Sequence, residues 1–199
     1  MGARRAPSPT IPSVALRFTL DTTCVIAMAK TESGNPPTEL DAIARLIDMA
    51  RAGRVELQLT ASYDRDFDRY RSPEGRSRQL EWLSNVPVIP ERAPGLFVIG
   101  VSVLDGPDVI ASDQDAAMYE RIRSILDPDF NGNLLSDDPS SRLAKRTSDA
   151  DHLIAHWRSG ATAFATLDSS TILVHRGALQ QLWLSVCWPS EAVALADDA

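Results

Sequence analysis

The sequence predicts an α/β fold, a three-layer α/β/α sandwich with a mostly parallel central sheet. Short apolar runs typical of buried strands alternate along the 199 residues with segments of helical periodicity. Strands that alternate with helices usually pair in parallel, and the connecting helices then cover both faces of the sheet. Functional sites in such sheets lie at the carboxyl ends of the strands. We therefore expect the residues that directly follow strands to build any site.

Each predicted element has a local reason. Residues 14–20 alternate in polarity and are mostly apolar, which predicts a strand ending directly before Asp21. A run of apolar residues at helical spacing, opened by Pro36-Pro37 and stopped by Gly53, predicts a helix. The other predicted elements are a helical or turn-like segment at 22–29, a strand at 54–60, a helix capped by Ser62, a strand at 96–102, a helix at 116–126 ended by Asp127-Pro128, a helix at 149–159 followed by Gly160, a strand at 162–167, a short helix at 178–182 and a strand at 184–188.

Composition and charge set only broad limits. Hydrophobic residues at 44% and charged residues at 24% are typical of one globular domain. The net charge of −7 argues against a protein that coats nucleic acid through a large basic surface, but not against an enzyme that contacts a short piece of it. Cys24 and Cys187 lie in apolar runs, which predicts buried free thiols and a cytoplasmic location. Residues 1–13 lack the apolar stretch of a signal peptide or membrane span, so we expect a flexible leader and no membrane association.

Three aspartates stand at places where an α/β site is expected. Asp21 directly follows the first predicted strand, and Asp168 directly follows the predicted strand at 162–167. Asp149 is predicted in the first turn of its helix, where a carboxylate would meet free backbone N–H groups and the positive end of the helix dipole. The first two acids therefore belong at the carboxyl edge of the sheet.

Helical geometry selects a fourth aspartate. At 100° per residue, Asp66 shares a face with the aromatic residues Tyr63, Phe67 and Tyr70, so its carboxylate is expected on the buried side of its helix. A carboxylate in that place must be neutralised, hydrogen-bonded or bound to a cation. Asp151 is expected to point elsewhere, toward Arg158.

Four inward acids from four separate segments would form a cluster of oxygen ligands. Such a cluster suits Mg²⁺ or Mn²⁺, which prefer carboxylate and water, and it would be costly without a cation because like charges repel. These metals lower the pKa of a bound water and neutralise charge that develops on a phosphodiester. We therefore expect Asp21, Asp66, Asp149 and Asp168 to hold metal.

The same segments resemble the PIN domain, the nuclease fold that includes VapC-type toxins. The segment D149-A-D-H-L, then G160-A-T-A-F-A and T166-L-D168, resembles the family's helix, strand and Thr-x-Asp pattern. The segment L-D21-T-T-C-V-I resembles its opening strand, and W188-P-S-E-A resembles its close. The segment L-T60-A-S-Y-D-R-D66-F resembles the part that usually delivers a Glu, with Asp66 in its place.

The resemblance implies a metal-dependent ribonuclease. It covers roughly residues 15–70 and 145–195, so we expect a single PIN-like domain at 14–199 with an elaborated segment at about 71–145. It implies the four acids as catalytic residues, RNA as the substrate, a homodimer, and an antitoxin partner if the protein is a toxin. The alternatives are an inactive PIN-fold module that binds RNA or a partner, and a phosphatase or DNA nuclease that uses the same acids.

Each acid also has a purely structural explanation. Asp149 could be a helix N-cap, alone or with Ser148; Asp168 could be a turn residue; and Asp21 could cap the helix that follows it. Asp66 lies mid-helix, where no cap is needed. These explanations remain open at the level of sequence.

Histidines and arginines near the acids have weaker patterns. His152 and His156 have one-turn spacing, but the Glu of H-E-x-x-H is absent, so a satisfied or solvent-facing pair is expected rather than zinc. His152 and Asp151 are candidates for a supporting role behind the acids. Arg65 and Arg69 belong to a basic run that could contact phosphate or simply form a solvated face. The segment with Arg142, Lys145 and Arg146 could line the other side of the site.

Overall fold

The computed structural model describes residues 15–30, 34–69, 72–96, 109–129 and 142–199. Within these residues, a four-stranded parallel sheet lies at the centre, in the order β2-β1-β3-β4. The strands are β1 (Leu16–Leu20), β2 (Val55–Gln58), β3 (Ala163–Ala165) and β4 (Val186–Cys187). The predicted α/β fold with a parallel sheet is confirmed.

Helices cover both faces of this sheet, as expected for strands connected in parallel. They are α1 (Thr22–Ala29), α2 (Pro37–Arg51), α3 (Ala61–Arg69), α4 (Pro73–Ser84), α5 (Asp113–Leu126), α6 (Arg142–Ser159), α7 (Arg176–Gln180) and α8 (Pro189–Asp197), with a 3₁₀ turn at Leu173–His175 before α7.

Two apolar cores lie on opposite sides of the sheet. Strand β3 shows the division directly, because Ala163 and Ala165 belong to the core beside α1, α2 and α8, whereas Phe164 belongs to the core beside α5, α6 and α7. Successive side chains of a strand point to opposite faces, so the three residues of β3 contribute side chains to both cores. The same alternation places Thr19, the register partner of Phe164 on β1, on the α6 side.

The helix that contains Asp149 is longer than its sequence pattern indicated. It was expected at residues 149–159, but α6 begins at Arg142, so Asp149 lies in its interior rather than in its first turn. The sequence shows Ser148 directly before Asp149, which is typical of a helix start. In the structure the Ser148 hydroxyl instead donates to Asp66 Oδ1 at 2.7 Å. The end was predicted correctly, since Gly160 follows α6 with a positive φ of 65°.

Other boundaries moved for local reasons. Ser62 does not cap α3, because the helix begins one residue earlier, at Ala61. Helix α5 begins at Asp113 rather than 116, because Ser112 and Asp115 form a capping box. Helix α4 was not predicted; Ser72 caps it by accepting a hydrogen bond from the Gly75 amide. Helix α8 was not predicted either, although its Pro189 start and acidic first turn are common signals.

The described parts of segment 71–145 pack against the sheet and its helices. Val88 and Ala93 form parallel bridges with Leu57 and Thr60, so this stretch extends the sheet beyond β2. Helix α5 packs on α6. Of the strand predicted at 96–102, only Leu96 is described, and it bridges to Val109. The predicted leader at 1–13 lies outside the described residues.

Candidate functional site

Asp21 lies at the carboxyl end of β1, beside the end of β3. Its backbone amide donates to the Ala165 carbonyl at 3.0 Å, which joins the two strand ends. Its Oδ2 accepts hydrogen bonds from the hydroxyls of Thr23 and Thr166, both at 2.6 Å. Asp21 occupies the N-cap position of α1, but its side chain makes no capping hydrogen bond. Its carboxylate is therefore held across the strand ends rather than used as a cap.

Asp168 follows β3 by three residues and is anchored through one oxygen. Its Oδ1 accepts from the amides of Ser170 and Thr171, at 2.9 and 2.8 Å, and from the Ser170 hydroxyl at 2.7 Å. Through Oδ1, Asp168 stabilises the turn that follows it, which is the turn-residue role considered from the sequence. Its Oδ2 instead lies 3.5 Å from Lys145 Nζ. Burial raises the pKa of Asp168, but these hydrogen bonds and Lys145 outweigh it and hold the pKa below its usual value.

Asp149 is the least satisfied acid of the site. Its residue is 9% exposed, and Oδ2 is buried with no hydrogen-bond partner. Burial, followed by the charges of Asp21 and Asp168, raises its pKa to about 7. The interior position on α6 also rules out the N-cap explanation, because a cap must stand at a helix end. A buried carboxylate without a donor is destabilised in its ionised form unless a cation reaches it.

Asp66, by contrast, has hydrogen-bond partners on both oxygens. Ser148 donates to Oδ1 at 2.7 Å, and Thr22 donates to Oδ2 at 3.2 Å. His152 Nε2 lies 3.0 Å from the same Oδ2. Burial raises the pKa of Asp66, but the hydrogen bond and charge of His152, with the two hydroxyls, lower it overall. The sequence required the buried Asp66 carboxylate to be neutralised, hydrogen-bonded or bound to a cation, and in the structure His152 from α6 and two hydroxyls supply hydrogen bonds.

His152 connects Asp66 to the other acids. It is 2% exposed, and its Nδ1 lies 2.6 Å from the Thr60 hydroxyl oxygen. Burial lowers its pKa, but the hydrogen bond and charge of Asp66, with the charges of Asp21 and Asp149, raise it overall. Its expected position near the acids is therefore observed.

Asp151 does not point toward Arg158, as the sequence suggested. It is fully buried and pairs with Arg65 Nη2 at 2.7 Å, while Arg158 pairs with Asp115 at 3.2 Å. The side chain of Arg65 is only 12% exposed, and its guanidinium joins α3 to α6. The side chain of Arg69 lies outside the described residues.

His156 is buried one turn after His152. Its Nδ1 lies 2.8 Å from the Thr19 hydroxyl oxygen, and its ring packs edge-on against Phe164 with 5.6 Å between centroids. Burial lowers its pKa to about 4, so it is neutral at physiological pH. The sequence left open whether the two histidines are hydrogen-bonded inside the protein or face solvent. In the structure both are buried and have hydrogen-bond partners.

The fold thus brings Asp21, Asp149 and Asp168 close enough to interact by charge, with Asp66 attached through His152. Sequence reasoning assigned no supporting role to the hydroxyls of Thr22, Thr23 and Thr166, and it considered Ser148 only as a possible helix cap. Their signal was present, since Thr22 and Thr23 directly follow Asp21, Thr166 lies two residues before Asp168, and Ser148 directly precedes Asp149. Which carboxylate each hydroxyl contacts depends on how the segments pack.

The side chains of the site can be compared with the ligands that a hard divalent cation requires. The donor set is carboxylate oxygen, which Mg²⁺ and Mn²⁺ prefer, and the unpartnered Asp149 Oδ2 gives such a cation a ligand that no protein donor occupies. The residues therefore suit the group by their chemistry. Within the described ranges, however, no three or more His, Cys, Asp or Glu side chains are already grouped closely enough to hold a metal ion.

No model of a known protein family matches this chain, and no curated protein matches it either. In the part of the chain that the structure describes, every helix is too short or too polar to cross a membrane.

Proposed function

We propose that this protein is a Mg²⁺- or Mn²⁺-dependent endoribonuclease, which hydrolyses RNA phosphodiester bonds. The observation that carries the proposal is the buried, unpartnered carboxylate of Asp149 beside Asp21 and Asp168. Burial and the charges of two neighbouring carboxylates make the ionised form of Asp149 costly unless a cation reaches it. Such an arrangement is more readily explained by a bound metal than by stability.

Asp21, Asp149 and Asp168 are the residues that would hold the cation. The threonine hydroxyls on Asp21 Oδ2 orient that carboxylate, and the turn of Ser170 and Thr171 orients Asp168. Asp66 supports the group through His152 or as a more distant ligand. When bound, the metal supplies a water of lowered pKa and a positive charge for the phosphodiester.

The choice of RNA rests on the sequence resemblance to PIN domains. That resemblance also motivates the proposals of a homodimer and, if the protein is a toxin, a cognate antitoxin. A cytoplasmic location fits the two cysteines, which are both buried and free. A phosphatase or DNA nuclease could use the same acids, and substrate comparison distinguishes them.

The second candidate is an inactive PIN-fold module that binds RNA or a partner. Two observations favour it. Both oxygens of Asp66 are already occupied by protein donors, and Lys145 already balances part of the charge of Asp168. A site that neutralises its own acids has less need of metal.

Thermal melts with EDTA, Mg²⁺ or Mn²⁺ would test the metal site first. The variants are Asp149→Asn and, as a matched control, Asp48→Asn, which removes an acid whose side chain is 73% exposed on α2. We expect metal to raise the melting temperature of the wild type and of the control, but not of Asp149→Asn. If the wild type shows no response at millimolar metal, the metal site is excluded.

Cleavage assays would then separate the candidate activities. Labelled single-stranded RNA, the same sequence as DNA, and a phosphomonoester are incubated with Mn²⁺. We expect cleavage of RNA alone, and loss of cleavage in Asp149→Asn. Metal binding with no cleavage of any substrate would instead support the inactive module.

A further inference from the structure

Lys145 stands beside the acids on the same helix as Asp149. The two residues are four positions apart on α6, so their side chains project from the same face, one turn apart. Lys145 Nζ lies 3.5 Å from Oδ2 of Asp168, which follows β3. The charge of Lys145 lowers the pKa of Asp168 and opposes the rise in the pKa of Asp149. One ammonium therefore acts on two of the three central acids.

The partners of Asp168 show which of its oxygens this ammonium occupies. Oδ1 is committed to Ser170 and Thr171, whereas Oδ2 faces Lys145. A divalent cation that uses Asp168 would have to approach Oδ2, because Oδ1 already accepts three hydrogen bonds. Lys145 and the metal would then compete for the same oxygen.

The exposed side chain of Lys145 can move away from Asp168. The side chain of Lys145 is 60% exposed, while that of Asp168 is 8% exposed. The lysine therefore lies at the solvent side of the site, whereas the aspartate is buried in it. A lysine is a compact charge on a flexible stem, and its half-exposed ion pair is weak. A divalent cation at Oδ2 would repel the ammonium, which stays tethered within reach of the site.

We propose that Lys145 is a built-in counter-ion of the acid site, which a divalent metal displaces from Asp168 Oδ2 and which then contacts a phosphate of the substrate. This inference rests on the proposed metal-dependent function. Lysine serves as a point-charge partner for phosphate in many sites, so the released ammonium has a chemically suitable target. Lys145 thereby links metal binding to substrate binding.

Metal affinity gives the first test. Mn²⁺ binding is measured by calorimetry on the wild type, Lys145→Met, Lys145→Arg and the control Arg45→Met, which removes a basic residue paired with Asp197 elsewhere on the surface. Loss of the competing ammonium should tighten Mn²⁺ binding by Lys145→Met by roughly two- to fivefold, the range of a half-exposed ion pair. The other two variants should match the wild type.

Salt dependence of RNA binding gives the second test. Fluorescence anisotropy follows a labelled single-stranded RNA in Ca²⁺ or in EDTA, and a gel confirms that the RNA stays intact. Each phosphate contact to a single strand contributes about 0.7 to the slope of log affinity against log salt. In Ca²⁺ the slope of the wild type should exceed that of Lys145→Met by about this amount. In EDTA the two slopes should coincide, because Asp168 then holds Lys145.

The outcomes separate this inference from the proposed function. If the wild type binds no Mn²⁺, the proposed function fails and this inference fails with it. If the wild type binds Mn²⁺ but Lys145→Met binds it equally or more weakly, only the role of Lys145 is overturned. Equal salt slopes for both proteins in Ca²⁺ would overturn that role as well.

Discussion

His152 Nε2 lies 3.0 Å from Asp66 Oδ2, and this pair divides the acids of the site into two kinds. Asp66 is ionised beside a histidine and two hydroxyls, and its pKa is lowered overall. Asp149 is buried without a donor on Oδ2, and its pKa is raised. Removing the charge of each aspartate should therefore have opposite effects on stability.

Asp66→Asn should destabilise the protein at neutral pH in EDTA. The substitution weakens hydrogen bonds from Ser148 and Thr22 and removes the charge that pairs with His152, which we expect to cost roughly 1–3 kcal/mol. Urea unfolding measures the change. Asp48→Asn, on the exposed face of α2, should stay within about 0.5 kcal/mol of the wild type. An unchanged Asp66→Asn protein would show that the pair with His152 does not stabilise the fold.

Asp149→Asn should stabilise the metal-free protein at pH 8. The pKa of Asp149 is about 7 in the folded protein, against about 3.9 in an unfolded chain, so the folded state binds the proton more tightly. The stability of the wild type therefore falls as pH rises from about 4 to about 7. A tenfold change in proton affinity is worth about 1.4 kcal/mol, which sets an upper limit of roughly 4 kcal/mol.

The pH series checks this mechanism for Asp149. The stability difference between Asp149→Asn and the wild type should be near zero at pH 4, increase up to about pH 7 and then level off. Chemical denaturation in EDTA at several pH values gives the curve. A difference that is constant with pH would contradict a raised pKa.

His156→Gln should show the opposite trend over much the same pH range. Burial lowers the pKa of His156 to about 4, against about 6.5 in an unfolded chain, so the unfolded state binds the proton more tightly. Its contribution to stability is present above about pH 6.5 and is lost as pH falls toward 4.

The variant loses the contact with Thr19 and is expected to be less stable than the wild type at pH 7.5. That deficit should shrink by roughly 3 kcal/mol at pH 4, because the variant has no imidazole to protonate. Denaturation curves at both pH values provide the measurement. A deficit that grows on acidification would refute the buried neutral imidazole.

Arg65→Met should destabilise the fold by roughly 3 kcal/mol, because it leaves the fully buried Asp151 without this guanidinium. Arg45→Met, which breaks an exposed pair with Asp197, should cost less than about 1 kcal/mol. Urea unfolding of both variants gives the comparison. A small loss of stability together with weaker RNA binding would instead favour the phosphate-contacting role for Arg65.

Much of the fold follows from local patterns. Strand β1, the prolines and Gly53 around α2, and Gly160 after α6 were predicted because alternation, ring constraints and positive φ act within a few residues. The start of α6 was not, because Ser148 has the character of a cap and only the packed structure shows its hydroxyl engaged by Asp66. Local signals cannot distinguish a cap from a tertiary partner of the same chemistry.

The sequence by itself determined that Asp21 and Asp168 lie near the carboxyl ends of parallel strands, since strand pattern and position are local properties. Only the tertiary structure decided which acid is paired and which is not. The contact between Asp66 and His152 joins residues 86 positions apart, and the same number separates Arg65 from Asp151. Such pairs depend on how α3 docks against α6, and the spacing of residues along either helix does not specify that docking.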